Sequence, residues 1–224
     1  MQRKLILTND GSDSLAVPDM GVTYHSVHGA LQESRHVFIA SGLYASDRFR
    51  RSDTLHIFEM GFGTGLNALL ILVESERVSQ KIYYETVELF PLHLDEVKML
   101  NYCNIMGRND LEEIFARLHT CEWEKEIEIT SNFVLKKIKV DLASFHPTRQ
   151  FDLVFFDAFD PNAQPELWTE KIFKKMFVML KPGGILTTYS SKGTVRRAMQ
   201  SAGLTVDKIP GPPGKREIVR ATKI

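Results

Sequence analysis

Cysteine is scarce: the 224 residues hold two, Cys103 and Cys121. Two thiols cannot build a disulfide framework or a four-cysteine zinc site, and the seven histidines show no ligand spacing, so no metal is expected. Long apolar runs are missing too. The longest, Ala68 to Val73, is far too short to span a bilayer. Leu5-Ile6-Leu7, behind Met1-Gln2-Arg3-Lys4, is too short for the apolar region of a signal peptide. Charge of one sign is lacking: 28 Lys and Arg stand against 28 Asp and Glu, which excludes a strongly basic nucleic-acid protein but leaves room for a locally basic face. There is no internal repeat and no low-complexity tract. A composition 43% hydrophobic and 25% charged is that of a globular chain, not a disordered one. The expectation is a reduced, cytoplasmic protein with no membrane association and no obligate protein partner.

What is present is an alternation. The length suits one large domain, or one domain with an appendage, at about 150 residues per domain. Residues 1–50 read as an extension: a hairpin from Lys4–Thr8 to Leu15–Val17 around Asn9-Asp10-Gly11, then a helix over Ala30–Ala40 stopped near Gly42. Residues 51–224 alternate strand and helix. Strands are expected at Leu55–Met60, Ile82–Glu88, Phe151–Asp157, Ile185–Tyr189, Leu204–Ile209 and Glu217–Thr222, with a hairpin over Ile127–Val140. Helices are expected at Leu66–Arg77, His93–Asn101, Asp110–His119, Glu166–Leu180 (stopped by Lys181-Pro182-Gly183-Gly184) and Thr194–Ala202. This order implies an α/β fold with a mostly parallel sheet covered on both faces. The final strand follows a loop too short for a crossover, so it must run antiparallel to its neighbour. Such a Rossmann-like sheet with one antiparallel strand suits a class I S-adenosylmethionine-dependent methyltransferase better than a dehydrogenase.

The strongest motif is Glu59-Met60-Gly61-Phe62-Gly63-Thr64-Gly65, after the first strand of the alternation. Glycines there let backbone approach a ligand and let a helix start at once. Gly61, Gly63 and Gly65 follow a G-x-G-x-G spacing, whereas the dinucleotide fingerprint places its third glycine one position later. Glu59 would repel a pyrophosphate but suits a cationic ligand, and S-adenosylmethionine carries a sulfonium and an amino group. Glu88 ends the next strand, where an acidic side chain accepts hydrogen bonds from ribose hydroxyls; a helix cap is the alternative. Asp141 is placed either to accept from the adenine amino group or to cap a turn before Ser144.

Asp157 ends Phe151–Phe156 and points at the same crevice, since ligands of open α/β sheets lie outside the carboxyl ends of strands. Phe155, Phe156 and Phe159 surround it, and a carboxylate in partly apolar surroundings can orient an amine. Asp160 reads as a turn former before Pro161. Basic residues gather late: Lys192, Arg196, Arg197, Lys208, Lys215, Arg216, Arg220 and Lys223 face only Asp207 and Glu217. Arg35, Arg48, Arg50 and Arg51 form a second group. Phosphate backbones need such cations, and a solvated face is the alternative. Trp123 and Trp168 read as packing residues.

These stretches resemble a known family. Glu59 to Asn67 is similar to the glycine loop of the methyltransferase domain of the MnmC family, whose members complete the 5-methylaminomethyl group on the wobble uridine of certain tRNAs. Phe156 to Trp168 is similar to that family's acidic motif, and Leu186–Arg197, Gly214–Glu217 and Leu31–Phe38 resemble further family stretches. The resemblance implies an N-methyltransferase moving a methyl group from S-adenosylmethionine to the amine of 5-aminomethyl(-2-thio)uridine. It implies that Glu59, Gly61, Gly63, Gly65, Glu88, Asp141 and Asp157 form the cofactor set, with Asp157 also catalytic, and that Arg196, Arg197, Lys215 and Arg216 bind tRNA. Two-domain members also carry a flavin-dependent oxidase; a chain ending at Ile224 is expected to match a stand-alone form without flavin. The competing readings are a small-molecule amine methyl- or aminopropyltransferase, a non-catalytic RNA- or nucleoside-binding module, and a nicotinamide oxidoreductase.

Overall fold

The structure is a computed structural model that describes residues 2–51 and 53–224. β1 (Lys4–Leu7), β2 (Asp13–Val17) and β3 (Val22–Thr23) form a small antiparallel sheet in that order. Gly11, at φ +82°, makes the turn of the expected hairpin. α1 (Ala30–Ser34) then runs without a break into a π-helical stretch, Arg35–Leu43. The chain continues through β4 (Leu55–Met60), α2 (Leu66–Ser75), β5 (Ile82–Val87), α3 (Leu94–Val97), α4 (Tyr102–Ile105), α5 (Glu112–Thr120), β6 (Glu126–Thr130) and β7 (Phe133–Ile138). It ends with β8 (Phe151–Phe156), α6 (Glu170–Met179), β9 (Leu180–Thr188), α7 (Gly193–Ser201), β10 (Thr205–Pro210) and β11 (Glu217–Thr222).

The eight later strands form one sheet in the order β10-β11-β9-β8-β4-β5-β7-β6. β7, β5, β4, β8 and β9 run parallel. β11 inserts antiparallel between β9 and β10, as the short loop before it required. The 127–140 hairpin supplies a second antiparallel strand, β6, at the far edge. Strands β4, β5 and β8 are buried on both faces, which is why they read as near-continuous apolar runs. One face packs against α2, α5 and residues 15–43, whose Leu15, Leu31, Val37 and Phe38 join the same cluster as Leu55 and Ile57. The other face packs against α6 and α7 through Phe173, Met176, Val195 and Met199.

Two elements differ from expectation. The helix expected over His93–Asn101 is confined to Leu94–Val97. The backbone N–H of Asn101 donates to Asp13 Oδ2 (3.1 Å), and its side chain accepts from Asp13 N (2.9 Å) and donates to Gly11 O (2.9 Å). Docking of the N-terminal hairpin therefore takes the donor that a longer helix would use. Secondly, α6 does end at Met179, but Lys181-Pro182-Gly183-Gly184 lies inside β9, where the pairing register with β8 shifts between Phe151 and Leu153. Gly183 at φ +75° and its hydrogen bond to Lys223 O (2.7 Å) carry the chain around this bulge.

Candidate active site

At the carboxyl ends of β4, β5 and β8 the strands part into loops around one cleft. Its lining mixes apolar side chains (Met60, Phe62, Leu89, Phe159) with a few polar ones (Asn67, Glu88, Asp141, Asp157), the make-up of a small-ligand site. Gly61, Gly63, Glu88, Asp141 and Asp157 all line it. Backbone bonds hold the three loops in register: Gly61 N–H donates to Val87 O (3.0 Å), Asp157 N–H to Met60 O (3.1 Å) and Glu88 N–H to Ile138 O (3.0 Å). Gly61 has φ +89°, and a Cβ there would stand 3.0 Å from the Asp157 carbonyl oxygen. Gly65 has φ +72°, and a Cβ there would stand 2.6 Å from His119 Nε2. The first glycine keeps the floor of the cleft next to β8, and the third lets α2 begin immediately.

Of the expected cofactor residues, Glu59 and Gly65 do not line the cleft and the others do. Glu88 accepts from Gly63 N–H (2.9 Å) through Oε2 and from Phe90 N–H (2.8 Å) through Oε1, so it both shapes the loop and faces the cleft. Asp141 lines the cleft and also accepts from Ala143 N–H (2.6 Å), so the turn-capping alternative is realised alongside the cleft position. Glu59 is buried beneath the glycine loop, its Oε2 without a hydrogen-bond partner among the described residues. Asp157 is half-buried, its carboxylate opening onto the cleft while protein encloses the rest.

Sequence reasoning did not assign Asn67. It lies in the first turn of α2, and its Nδ2 donates to Glu59 Oε1 (3.0 Å) and to Asp157 Oδ2 (2.9 Å). Burial raises the Asp157 carboxyl to about 7, with the Glu33 charge adding to the rise and the Asn67 hydrogen bond and Lys215 opposing it. Burial also holds the Glu59 carboxyl well above the ordinary range, helped by the charge of Asp157. Glu59 thus keeps its proton at a pH where Asp157 ionises, near neutrality.

The aromatic wall differs from expectation. Phe155 and Phe156 are fully buried: Phe155 packs with Phe38 on one face of the sheet, Phe156 with Trp168 and Phe173 on the other. Successive strand side chains point to opposite faces, so neither can reach past the strand end. Phe159 does line the cleft, and its partner is Tyr24 from the N-terminal segment, with ring centroids 5.0 Å apart and nearly perpendicular. Arg3 Nε donates to the Tyr24 hydroxyl (2.9 Å), and Arg3 itself is paired with Glu96 (3.0 Å). His25 Nε2 lies 2.7 Å from Thr64 Oγ1. Tyr24 and His25, held by these pairings, therefore close one side of the cleft, and only long-range pairing reveals it.

The basic groups separate. Arg197 and Arg216 are exposed, and Arg196 is half-buried on α7 with Nε donating to Ser191 O (3.3 Å). Lys215 turns inward. It pairs with buried Glu33 and lies 4.0 Å from the Tyr189 ring centroid, so its charge is already partnered within the protein. Lys192 pairs with Asp160 (2.7 Å), which also forms the expected turn by accepting from Asn162 N–H (2.8 Å). Arg48 pairs with Asp152 near the amino end of β8, at the opposite end of the sheet from the cleft. Among the described residues no group of three or more His, Cys, Asp or Glu side chains is placed to hold a metal ion, and no helix is long and apolar enough to cross a membrane.

A family described as S-adenosyl-L-methionine-dependent methyltransferase matches residues 108–224, just over half of the sequence. The chain belongs to that family. Its class I fold and its glycine-loop cleft agree with membership. Among curated relatives, it is 30% identical over 210 residues to the tRNA 5-methylaminomethyl-2-thiouridine biosynthesis bifunctional protein MnmC of Leptospira borgpetersenii, across 88% of this chain and 31% of that protein. It is 29% identical over 209 residues to the protein of the same name from Methylobacillus flagellatus, across 89% of this chain and 32% of that protein. The chain thus spans about a third of the length of these relatives. Among solved structures, MNMC2 from Aquifex aeolicus superposes with a TM-score of 0.79 at 25% identity, covering 99% of this chain and 70% of that one.

The glycine-loop cleft fits S-adenosylmethionine on its own geometry. Gly61 and Gly63 leave backbone bare where a Cβ would intrude, and Asp157, which lines the cleft, offers a carboxylate to a cationic ligand.

Proposed function

We propose that this protein is a cytoplasmic tRNA-modifying N-methyltransferase that acts, without metal or flavin, on the amine of 5-aminomethyl(-2-thio)uridine at the wobble position. The observation that carries the reading is the placement of Asp157 beside the glycine loop, in a chain similar over most of its length to proteins named for that modification. S-adenosylmethionine supplies the methyl group as an electrophile on its sulfonium. Glu59 and the glycine loop hold it, Glu88 faces its ribose and Asp141 its adenine. Asp157 accepts a proton or an N–H hydrogen bond from the substrate amine and aims the nitrogen lone pair. A carboxyl ionising near 7 is a far better base than the ordinary aspartate, at about 3.9, that sequence alone suggested. An alkylammonium titrates at about 10, so proton transfer to Asp157 costs about 4 kcal/mol, and less once Phe159 and Tyr24 desolvate the amine. Arg196, Arg197 and Arg216 contact tRNA phosphates.

The cofactor assignment is tested by calorimetry in the presence of chelator. S-adenosylmethionine and its demethylated product bind, and NAD does not; NAD binding without a signal from S-adenosylmethionine would overturn the site. The substrate assignment is tested with Arg196, Arg197 and Arg216 changed to Ala. Affinity for tRNA falls, and the slope of log affinity against log salt flattens by roughly one unit per lost phosphate contact, while cofactor affinity is unchanged. An unaltered slope would make these arginines a solvated face, and methylation of free amines in place of tRNA would favour a small-molecule transferase.

A further inference from the structure

Two buried or half-buried carboxylates from adjacent strands stand at the floor of the cleft, and one amide joins them. Asn67 uses both hydrogens of Nδ2, one on Glu59 and one on Asp157. Its Oδ1 is buried with no hydrogen-bond partner among the described residues. The reverse orientation would set that oxygen against two carboxylates, so the amide can face only one way while either acid is ionised. Gly65 precedes α2 at φ +72°, and the helix carries Asn67 on its first turn back over the ends of β4 and β8.

We infer that Asn67 is a positioning residue for methyl transfer, tying the cofactor-side carboxylate Glu59 to the amine-side carboxylate Asp157. It touches neither reacting atom; it fixes the direction of the Asp157 oxygen that meets the amine. The inference rests on the proposed function of this site and assigns it a coupling that the loop motif does not contain. The charged and titratable groups that face Asp157 are Glu59 of β4, Tyr84 of β5, Glu33 of α1, Tyr189 after β9 and Lys215 before β11. Of the groups with a hydrogen bond to its carboxylate, Asn67 is the neutral donor, so its removal shifts the titration of Asp157 without changing the net charge of the site.

The test compares wild type with Asn67→Ala and Asn67→Asp. The aspartate is isosteric, loses the donor and adds a like charge; the alanine only loses the donor. Calorimetry with S-adenosylmethionine from pH 5.5 to 9 reads the pH at which affinity for this cation rises. That inflection moves up by about one to two units in Asn67→Ala, the range for a lost hydrogen bond to an ionised group, and further in Asn67→Asp. Single-turnover methyl transfer follows the same order, falling about tenfold or more at pH 7 and partly recovering in alkali. A scaffolding role would give the reverse, with alanine worse than aspartate and neither inflection moved; that result, or wild-type rates in both variants, overturns the inference. If wild type fails to methylate tRNA while the binding inflections still shift, the proposed substrate is wrong and the role of Asn67 stands. Should the alanine variant fail to fold, the isosteric variant alone decides.

Discussion

Asp157→Ala is expected to lower the single-turnover rate of methyl transfer by about a hundredfold or more, the range for losing a group that handles a proton in the transition state. Affinity for tRNA should remain near wild type, because the exposed Arg197 and Arg216 proposed to contact phosphates are unchanged. The pH dependence sharpens the claim. Burial raises Asp157 from 3.8 to about 7, so the wild-type rate should climb through pH 7 as the carboxylate forms. The sign for stability is opposite. A carboxyl whose folded value is raised holds its proton more tightly in the folded state, so it costs no stability below pH 4 and progressively more as pH rises toward 7. Asp157→Asn should therefore melt at the same temperature as wild type in acid and at a higher one at pH 8, while remaining inactive. A variant that lost activity only in step with lost stability would remove Asp157 from the chemistry.

That combination, an acid that destabilises the fold yet stays at the floor of the cleft, is what marks a functional position. It also shows where sequence reading stops. The strand ending in Asp157, the glycine spacing and the antiparallel last strand were legible because each is written locally, in an apolar run, a turn or a short loop. The raised titration of Asp157 was not, since it arises from burial together with Glu33, a residue 124 positions earlier on another element. Tyr24 carried no signal at all: it reaches the cleft because the Arg3–Glu96 and Asp13–Asn101 contacts dock the first strands onto the α3–α4 segment. The pairing of Lys215 was hidden for the complementary reason. A lysine in a basic stretch looks exposed until the buried carboxylate it satisfies is found on α1. Phe156 misled through parity, because a residue next to a functional strand end is directed to the opposite face.

Gly61→Ala is expected to weaken S-adenosylmethionine binding by roughly tenfold, about 1.4 kcal/mol. An L-residue held in the left-handed region costs about 1–2 kcal/mol. At Gly61 the new methyl would also stand 3.0 Å from the Asp157 carbonyl oxygen, a backbone atom that cannot swing aside. Relief requires β4 and β8 to part at the point where Gly61 N–H reaches Val87 O and Asp157 N–H reaches Met60 O, so the strain is delivered to the cleft floor itself. The left-handed backbone strain is present with and without the cofactor, so it lowers stability and not affinity; the affinity loss comes from the displaced cleft floor, about 1–2 kcal/mol, which at 1.4 kcal/mol per decade is roughly tenfold. Gly107 supplies the matched control. Its φ is +67° and nothing lies within 4 Å of a Cβ built there, so Gly107→Ala carries the backbone strain alone, away from the cleft. Both variants should lose several degrees of melting temperature, at about 2–4 °C per kcal/mol for a chain of this size. Calorimetry should show the affinity loss in Gly61→Ala and wild-type affinity in Gly107→Ala. Equal affinities in the two would mean that the first glycine serves the strand-to-loop turn and not the cofactor.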